Sequence, residues 1–375
     1  MASTKMGSPK RTGVADLPLH YGKAPPWLFQ RMVALSREVA GAMVEEYGPA
    51  GLLQRLSDPF WFQALGCVSG FDWHSSGLTT TVCGALKLGV KGLEREMGIY
   101  IAGGKGRASR KTPSEIEAIG DALSIDPQPL VYASRICAKV DSAALQDGYQ
   151  IYHHTFIFTA AGEWAVVQQG MNEATRYARR YHWLGELVTD YVCEPHAAIC
   201  SDASGTTLNL VATESASARE AIARIAAAER PDAMVRELED LKSLTLPHRH
   251  HVALEDIHPR RLEKIFLSAY ERKPADFESL LALEGVGPKA MRALALVAEL
   301  VYGAPASARD PARYSYAHGG KDGHPYPVDR ATYDKTIEVM ATAVRRARIG
   351  QREGMEALRR VYGFYDKTTN SLPNG

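Results

Sequence analysis

The sequence predicts an α/β (or α+β) amino-terminal domain followed by an all-α carboxy-terminal domain, and three observations carry that prediction. Short β-like runs at residues 97–102, 149–159 and 164–169 alternate with helical stretches. From Ala216 onward the composition shifts to Ala, Glu, Arg and Leu, and the rest reads as short helices. Residues 277–303 pattern as two helices around a glycine turn, a helix-hairpin-helix. The expected organisation is a tail over 1–12, a candidate catalytic domain over 13–215 and a helical connection over 216–246. A helical nucleic-acid-binding domain over 247–365 and a second tail over 366–375 complete it.

The elements follow in order. Residues 27–46 form an amphipathic helix, with Leu28, Met32, Leu35, Val39 and Met43 on one face and Tyr47-Gly48-Pro49 as its stop. Residues 71–81 are polar and run into a helix over 82–96, so Ser76, Thr79 or Thr80 can cap it. In that segment Asp72 and His74 are candidates to bind a metal or shuttle a proton; a cap with a structural histidine explains them equally well. Next, a strand opens into Gly103-Gly104-Lys105-Gly106-Arg107, where Lys105 and Arg107 suit a phosphate and an exposed basic loop is the plainer account. The spacing and Lys-Ser/Thr pair of a Walker loop are absent, so no nucleotide cofactor is expected.

Residues 149–159 and 164–169 flank Ala160-Ala161-Gly162-Glu163 and read as a β-hairpin. A two- or four-residue loop pairs Thr159 with Trp164, Phe158 with Ala165, Phe156 with Val167, Thr155 with Gln168 and His154 with Gln169. His154 and Gln169 then share a face with Phe156 and Phe158, while Asp141 and Asp147 lie close in sequence. Asp141, Asp147, His153, His154, Gln168 and Gln169 are therefore candidates for a metal or acid–base site; a simple His154–Gln169 hydrogen bond is the alternative. Residues 173–183 are read as a helix, with Tyr177 above Tyr181 and Arg176 above Arg180. Arg176, Arg179 and Arg180 there suit phosphates and the aromatics suit bases, unless the rings are core and the arginines surface. Cys193-Glu194-Pro195-His196 with Cys200, and His248, His250, His251 and His258, include metal-ligand types but lack a zinc-site spacing.

In the carboxy-terminal half, residues 276–283 and 289–302 form helices around Glu284-Gly285-Val286-Gly287-Pro288. Glycines permit positive φ and Pro288 suits a first helical turn, so Gly285, Gly287 and Lys289 form a candidate phosphate grip. An ordinary helical hairpin is the alternative. Gly-Val-Gly-Pro-Lys also resembles the hairpin of base-excision DNA glycosylases, a resemblance that implies Lys289 as an amine nucleophile with a downstream aspartate, Asp310 or Asp329. The spacing to Asp329 exceeds that family's.

Net charge is +1, so charge matters only locally, as in the basic cluster Lys105, Arg107, Arg110 and Lys111 and the arginine-rich stretch 345–360. Five cysteines form a sparse odd set that fits reduced thiols in a cytoplasm. No apolar run reaches the roughly 18 residues of a membrane span. Residues 1–13 are polar and basic and do not read as a secretory leader.

Residues 12–20, 71–77, 103–106, 146–154, 166–172, 285–289 and 318–329 are long, unusual strings. Through them the chain, from residue 12 to about residue 362, resembles an uncharacterised bacterial and archaeal family, domain of unknown function 763. That resemblance implies no reaction. The residues themselves lead to the expectation of a DNA-processing, DNA-repair enzyme: a metal-dependent nuclease holding Mg or Mn through Asp72, Asp141 and Asp147. His74, His153 or His154 would move protons, and the helix-hairpin-helix would grip DNA. Base excision through Lys289 and a non-enzymatic nucleic-acid adaptor are the two alternatives.

Overall fold

A computed structural model describes residues 26–70, 77–175, 177–201, 205–242, 257–312, 330–346 and 354–360. The fold is mixed α/β. Helices α1 (Pro26–Ser57), α2 (Pro59–Val68), α3 (Gly77–Val90) and α4 (Glu94–Met97) lead to strand β1 (Tyr100–Lys105). After α5 (Arg107–Arg110), α6 (Thr112–Leu123) and α7 (Gln128–Lys139), a π-helical turn, Val140–Ala144, enters β2 (Leu145–Gln146). Strands β3 (Gln150–Phe158), β4 (Trp164–Met171), β5 (Ala178–Leu184) and β6 (Ala198–Ser201) follow, then β7 (Leu208–Asn209). Helices α8 (Ala216–Ala228), α9 (Pro231–Lys242), α10 (Pro259–Arg272), α11 (Phe277–Ala282), α12 (Pro288–Leu300) and α13 (Arg330–Arg346) complete the described elements.

The main sheet is antiparallel, in the order β1-β3-β4-β5-β6, and each face is covered by helices. One face buries Phe156, Phe158, Val166, Tyr181 and Trp183 in a cluster that also holds Ile136 of α7, Ile222 of α8, Leu280 of α11 and Leu294 of α12. The opposite face packs Ile157, Val167 and Leu184 against α1 to α3 and α13. The helices after Ala216 thus close directly over the sheet.

Several expected elements are redrawn. The helix expected to stop at Tyr47-Gly48-Pro49 breaks there, with φ of 73° at Gly48, and resumes to Ser57. The helix expected over 82–96 ends at Val90, and the strand expected over 97–102 shifts to Tyr100–Lys105. That shift moves the glycines into the sheet: Gly103 has φ of +87°, and a Cβ there would meet the His154 carbonyl oxygen at 2.3 Å. The helical connection expected over 216–246 divides, within its described residues 216–242, at Pro231, which opens α9.

Two corrections bear on function. Within the stretch read as a helix over 173–183, residues from Ala178 onward form β5, paired on both sides in the sheet, so its side chains alternate instead of stacking four apart. The β3–β4 register is also offset by one residue, pairing Phe158 with Trp164, His154 with Gln168 and His153 with Gln169. The cause is the loop. Thr159 N–H donates to Glu163, Gly162 N–H donates back to Thr159, and Gly162 has φ of +90°, a three-residue turn closed by a left-handed glycine. An odd loop shifts β4 by one residue against β3, so Gln168 rather than Gln169 shares the face of His154, Phe156 and Phe158.

Candidate functional site

The π-helical turn after α7 lies between two polar constructions. Its Asp141 points into the sheet and is fully buried. Asp141 Oδ2 accepts from Gln168 Nε2 at 2.5 Å and from Trp183 Nε1 at 2.9 Å, and Oδ1 meets His196 Nε2 at 2.5 Å. Behind Gln168 the chain of bonds continues: His154 Nδ1 to Gln168 Oε1 at 2.8 Å, and Ser134 Oγ to His154 Nε2 at 2.9 Å. Because Gln168 turns its NH₂ to Asp141 and the Cys137 carbonyl, its oxygen faces His154, which must therefore carry the proton on Nδ1. Ser134 then donates to His154 Nε2. Burial lowers the His154 pKa, partly offset by Gln168 and Asp141, so the ring is neutral.

A second buried centre lies one row along. Arg179 bridges Asp147, at 2.9 Å, and Asp310, at 2.7 Å, with its guanidinium 4.4 Å from the Tyr149 ring centroid. Asp147 also accepts from Tyr181 Oη at 2.7 Å and Tyr149 N–H at 3.1 Å. Burial raises the Asp147 carboxyl, against the pull of Arg179 and those hydrogen bonds. Asp310 accepts in addition from the backbone N–H of Gly205 and Ala312.

On the opposite face His153, Gln169 and Arg180 form one cross-strand row with Lys105 and Cys200. His153 Nε2 meets Thr155 Oγ1 at 3.0 Å, and Gln169 donates to the Tyr152 hydroxyl. Arg180 donates to His182, Gln63 and the Pro59 carbonyl. The structure thus separates His153 and Gln169 from His154 and Gln168, which sequence had grouped together.

Arg179 and Arg180 are buried, not surface cations for phosphate; a two-residue period puts them on opposite faces of a covered sheet. Lys105 and Arg107 are exposed, but the glycine backbone beside them is occupied: Glu115 accepts from Gly103 N–H and Lys87 donates to the Gly103 carbonyl. Asp72, His74, Arg176 and Asp329 lie outside the described residues, as do His248, His250 and His251. Among the described residues no group of three or more His, Cys, Asp or Glu side chains gathers to hold a metal. Asp141 and Asp147 do not fit as ligands as they stand, since both oxygens of each already accept from protein donors.

The other construction is the turn between α11 and α12. Asp276 caps α11 through Ser279, Gly285 takes φ of +83°, and Gly287 enters α12 with extended backbone, so only the first glycine needs the left-handed region. Lys139, at the end of α7, donates to the carbonyls of Leu281 at 2.8 Å, Leu283, and Val286 at 3.0 Å. Burial lowers the Lys139 pKa, while Glu284 raises it. With its carbonyls drawn inward, the turn leaves the amides of Gly285, Gly287 and Lys289 with no acceptor among the described residues. Gln146 reinforces the joint, donating to the Pro288 carbonyl and accepting from Arg292. Lys139→Met is expected to cost about 1.5–3 kcal/mol, the range for hydrogen bonds from a charged donor. Urea unfolding checks it; an unchanged midpoint would contradict the clamp.

Sequence reasoning missed Lys139 and Ser134, and weighed His196 only as a zinc ligand. A lysine or serine on an amphipathic helix carries no distinguishing pattern, and the His196 contact spans 55 residues. With this geometry in hand, comparison with known families shows that the one described as "Protein of unknown function (DUF763)" matches residues 13–328. No curated protein and no solved structure matches the chain.

Proposed function

The chain belongs to the DUF763 family, whose description names no reaction, and from its own side chains we propose that it is a nucleic-acid-processing enzyme acting on DNA. The turn between α11 and α12 carries this reading. Lys139 holds its carbonyls inward, and the amides of Gly285, Gly287 and Lys289, with no acceptor among the described residues, lie at or just before the start of α12 beside the exposed Lys289. Unpaired N–H groups, a helix N-terminus and a cation suit a backbone phosphate, irrespective of base sequence. Glu284 is exposed beside them and opposes binding, which makes Lys289 the decisive cation.

Base excision through Lys289 has less support. Lys289 is exposed, not desolvated as an amine nucleophile needs to be, and Asp310 is engaged by Arg179. The adaptor alternative shares the grip and lacks the chemistry. Fluorescence anisotropy with labelled single-stranded and duplex DNA, across a salt series, tests the grip. Lys289→Glu is expected to weaken binding at least tenfold on every sequence and to lower the salt slope by about one phosphate contact. Equal binding by the variant, or none by the parent protein, would refute it.

A further inference from the structure

We infer that His196, oriented by Asp141, is the general base of a hydrolytic centre that cleaves a phosphodiester held at the α11–α12 turn; the substrate rests on the grip proposed above. His196 Nε2 points at the fully buried Asp141 from 2.5 Å, and its ring packs on Trp183 at 4.5 Å between centroids. These contacts fix the ring's orientation and place its proton on Nε2. Nδ1 is left as an acceptor, with no hydrogen-bond partner among the described residues, and the side chain is 6% exposed. Solvent therefore reaches one narrow edge of an otherwise enclosed imidazole.

Three features separate this pair from an incidental contact. Gln168 and Trp183 hold the Asp141 carboxylate, and Gln168 is itself fixed by His154 and Ser134, so Asp141 is oriented from within the core. Glu194, two residues before His196, has φ of +45° and donates its N–H to Val211, so the chain is bent to deliver the histidine. Asp141 lies in the π-helical turn that directly follows Lys139 at the end of α7, and α12 packs against that turn, so the pair and the clamp are anchored at one junction.

In the step, water gives a proton to His196 Nδ1 as its oxygen attacks phosphorus. The P–O bond to the leaving sugar oxygen breaks, and that oxygen takes the proton back from the imidazolium. One water is consumed, and the phosphodiester becomes a phosphomonoester and an alcohol. His196 is the catalytic residue; Asp141, Gln168 and His154 position it.

End-labelled single-stranded and duplex DNA, incubated with the full-length protein, tests this. The parent protein is expected to cleave, and His196→Gln to lose at least 100-fold in rate while binding within twofold of the parent. Asp141→Asn is expected to reduce the rate and alter its pH profile. Nitrogen-15 NMR of the parent protein supplies a reading without substrate: neutral His196 should carry its proton on Nε2. Cleavage undiminished in His196→Gln, a proton on Nδ1, or DNA bound but left intact by the parent would overturn the inference. In the last case the grip survives; absence of binding refutes the grip instead.

Discussion

Arg179→Met is expected to lower the free energy of unfolding by about 3–5 kcal/mol, the range for breaking a buried ion pair by removing one partner. The arginine side chain is 0% exposed and its partners Asp147 and Asp310 are 1% and 10% exposed. Without it, two carboxylates stay inside the protein with only hydrogen bonds to hold them, and the Tyr149 ring loses the guanidinium packed on it. The loss also removes the ion pair that ties Asp310 to the sheet. Urea unfolding of the variant beside the parent measures the effect. A change under about 1 kcal/mol, as for an exposed pair, would mean the cluster is not buried as described.

Acid is expected to destabilise the protein well above the pH at which carboxylates ordinarily protonate. Burial, then His154 and Lys105, pushes His153 down to about 3. Burial lowers His154 too, and burial with Arg180 lowers His182. Each is neutral when folded and ordinary, near 6.5, when unfolded. The unfolded chain therefore binds more protons below that value. Stability from these groups is complete above about pH 6.5 and is lost as pH falls toward their folded values. His153 alone contributes about 2 kcal/mol of loss between pH 7 and pH 5, and His154 and His182 add to it in the same direction. Asp58 and Asp147, raised by burial, act in the opposite sense and reduce the net slope. Urea midpoints at pH 7, 6 and 5 give the slope directly. A flat profile would show that the three rings are not buried neutral.

Mixed α/β architecture, the β3–β4 hairpin and the two helices around the Gly285–Lys289 turn were legible because each depends on local pattern: alternation, periodicity, or a glycine and proline at set positions. Arg179 and Arg180 show where that stops. Their spacing of four from Trp183 and Arg176 suits a helix, yet pairing with β4 and β6 makes the segment a strand. The offset by one at Phe158–Trp164 had a similarly small cause and a large result, because it set Gln168 in place of Gln169 beside His154 and sent Gln169 to the opposite face with His153.

What the sequence by itself determined was the kind of molecule: an α/β chain with acid, histidine and amide side chains near a hairpin, and two helices joined by a glycine–proline–lysine turn. Tertiary structure alone decided which of those groups meet. Asp141 finds His196 and Trp183 rather than Asp147, and Lys139 finds the turn 142 to 147 residues away. The physical reason is that hydrogen bonds between buried side chains depend on register and on which face a strand presents. Both are settled by long-range pairing and packing, which local pattern does not encode.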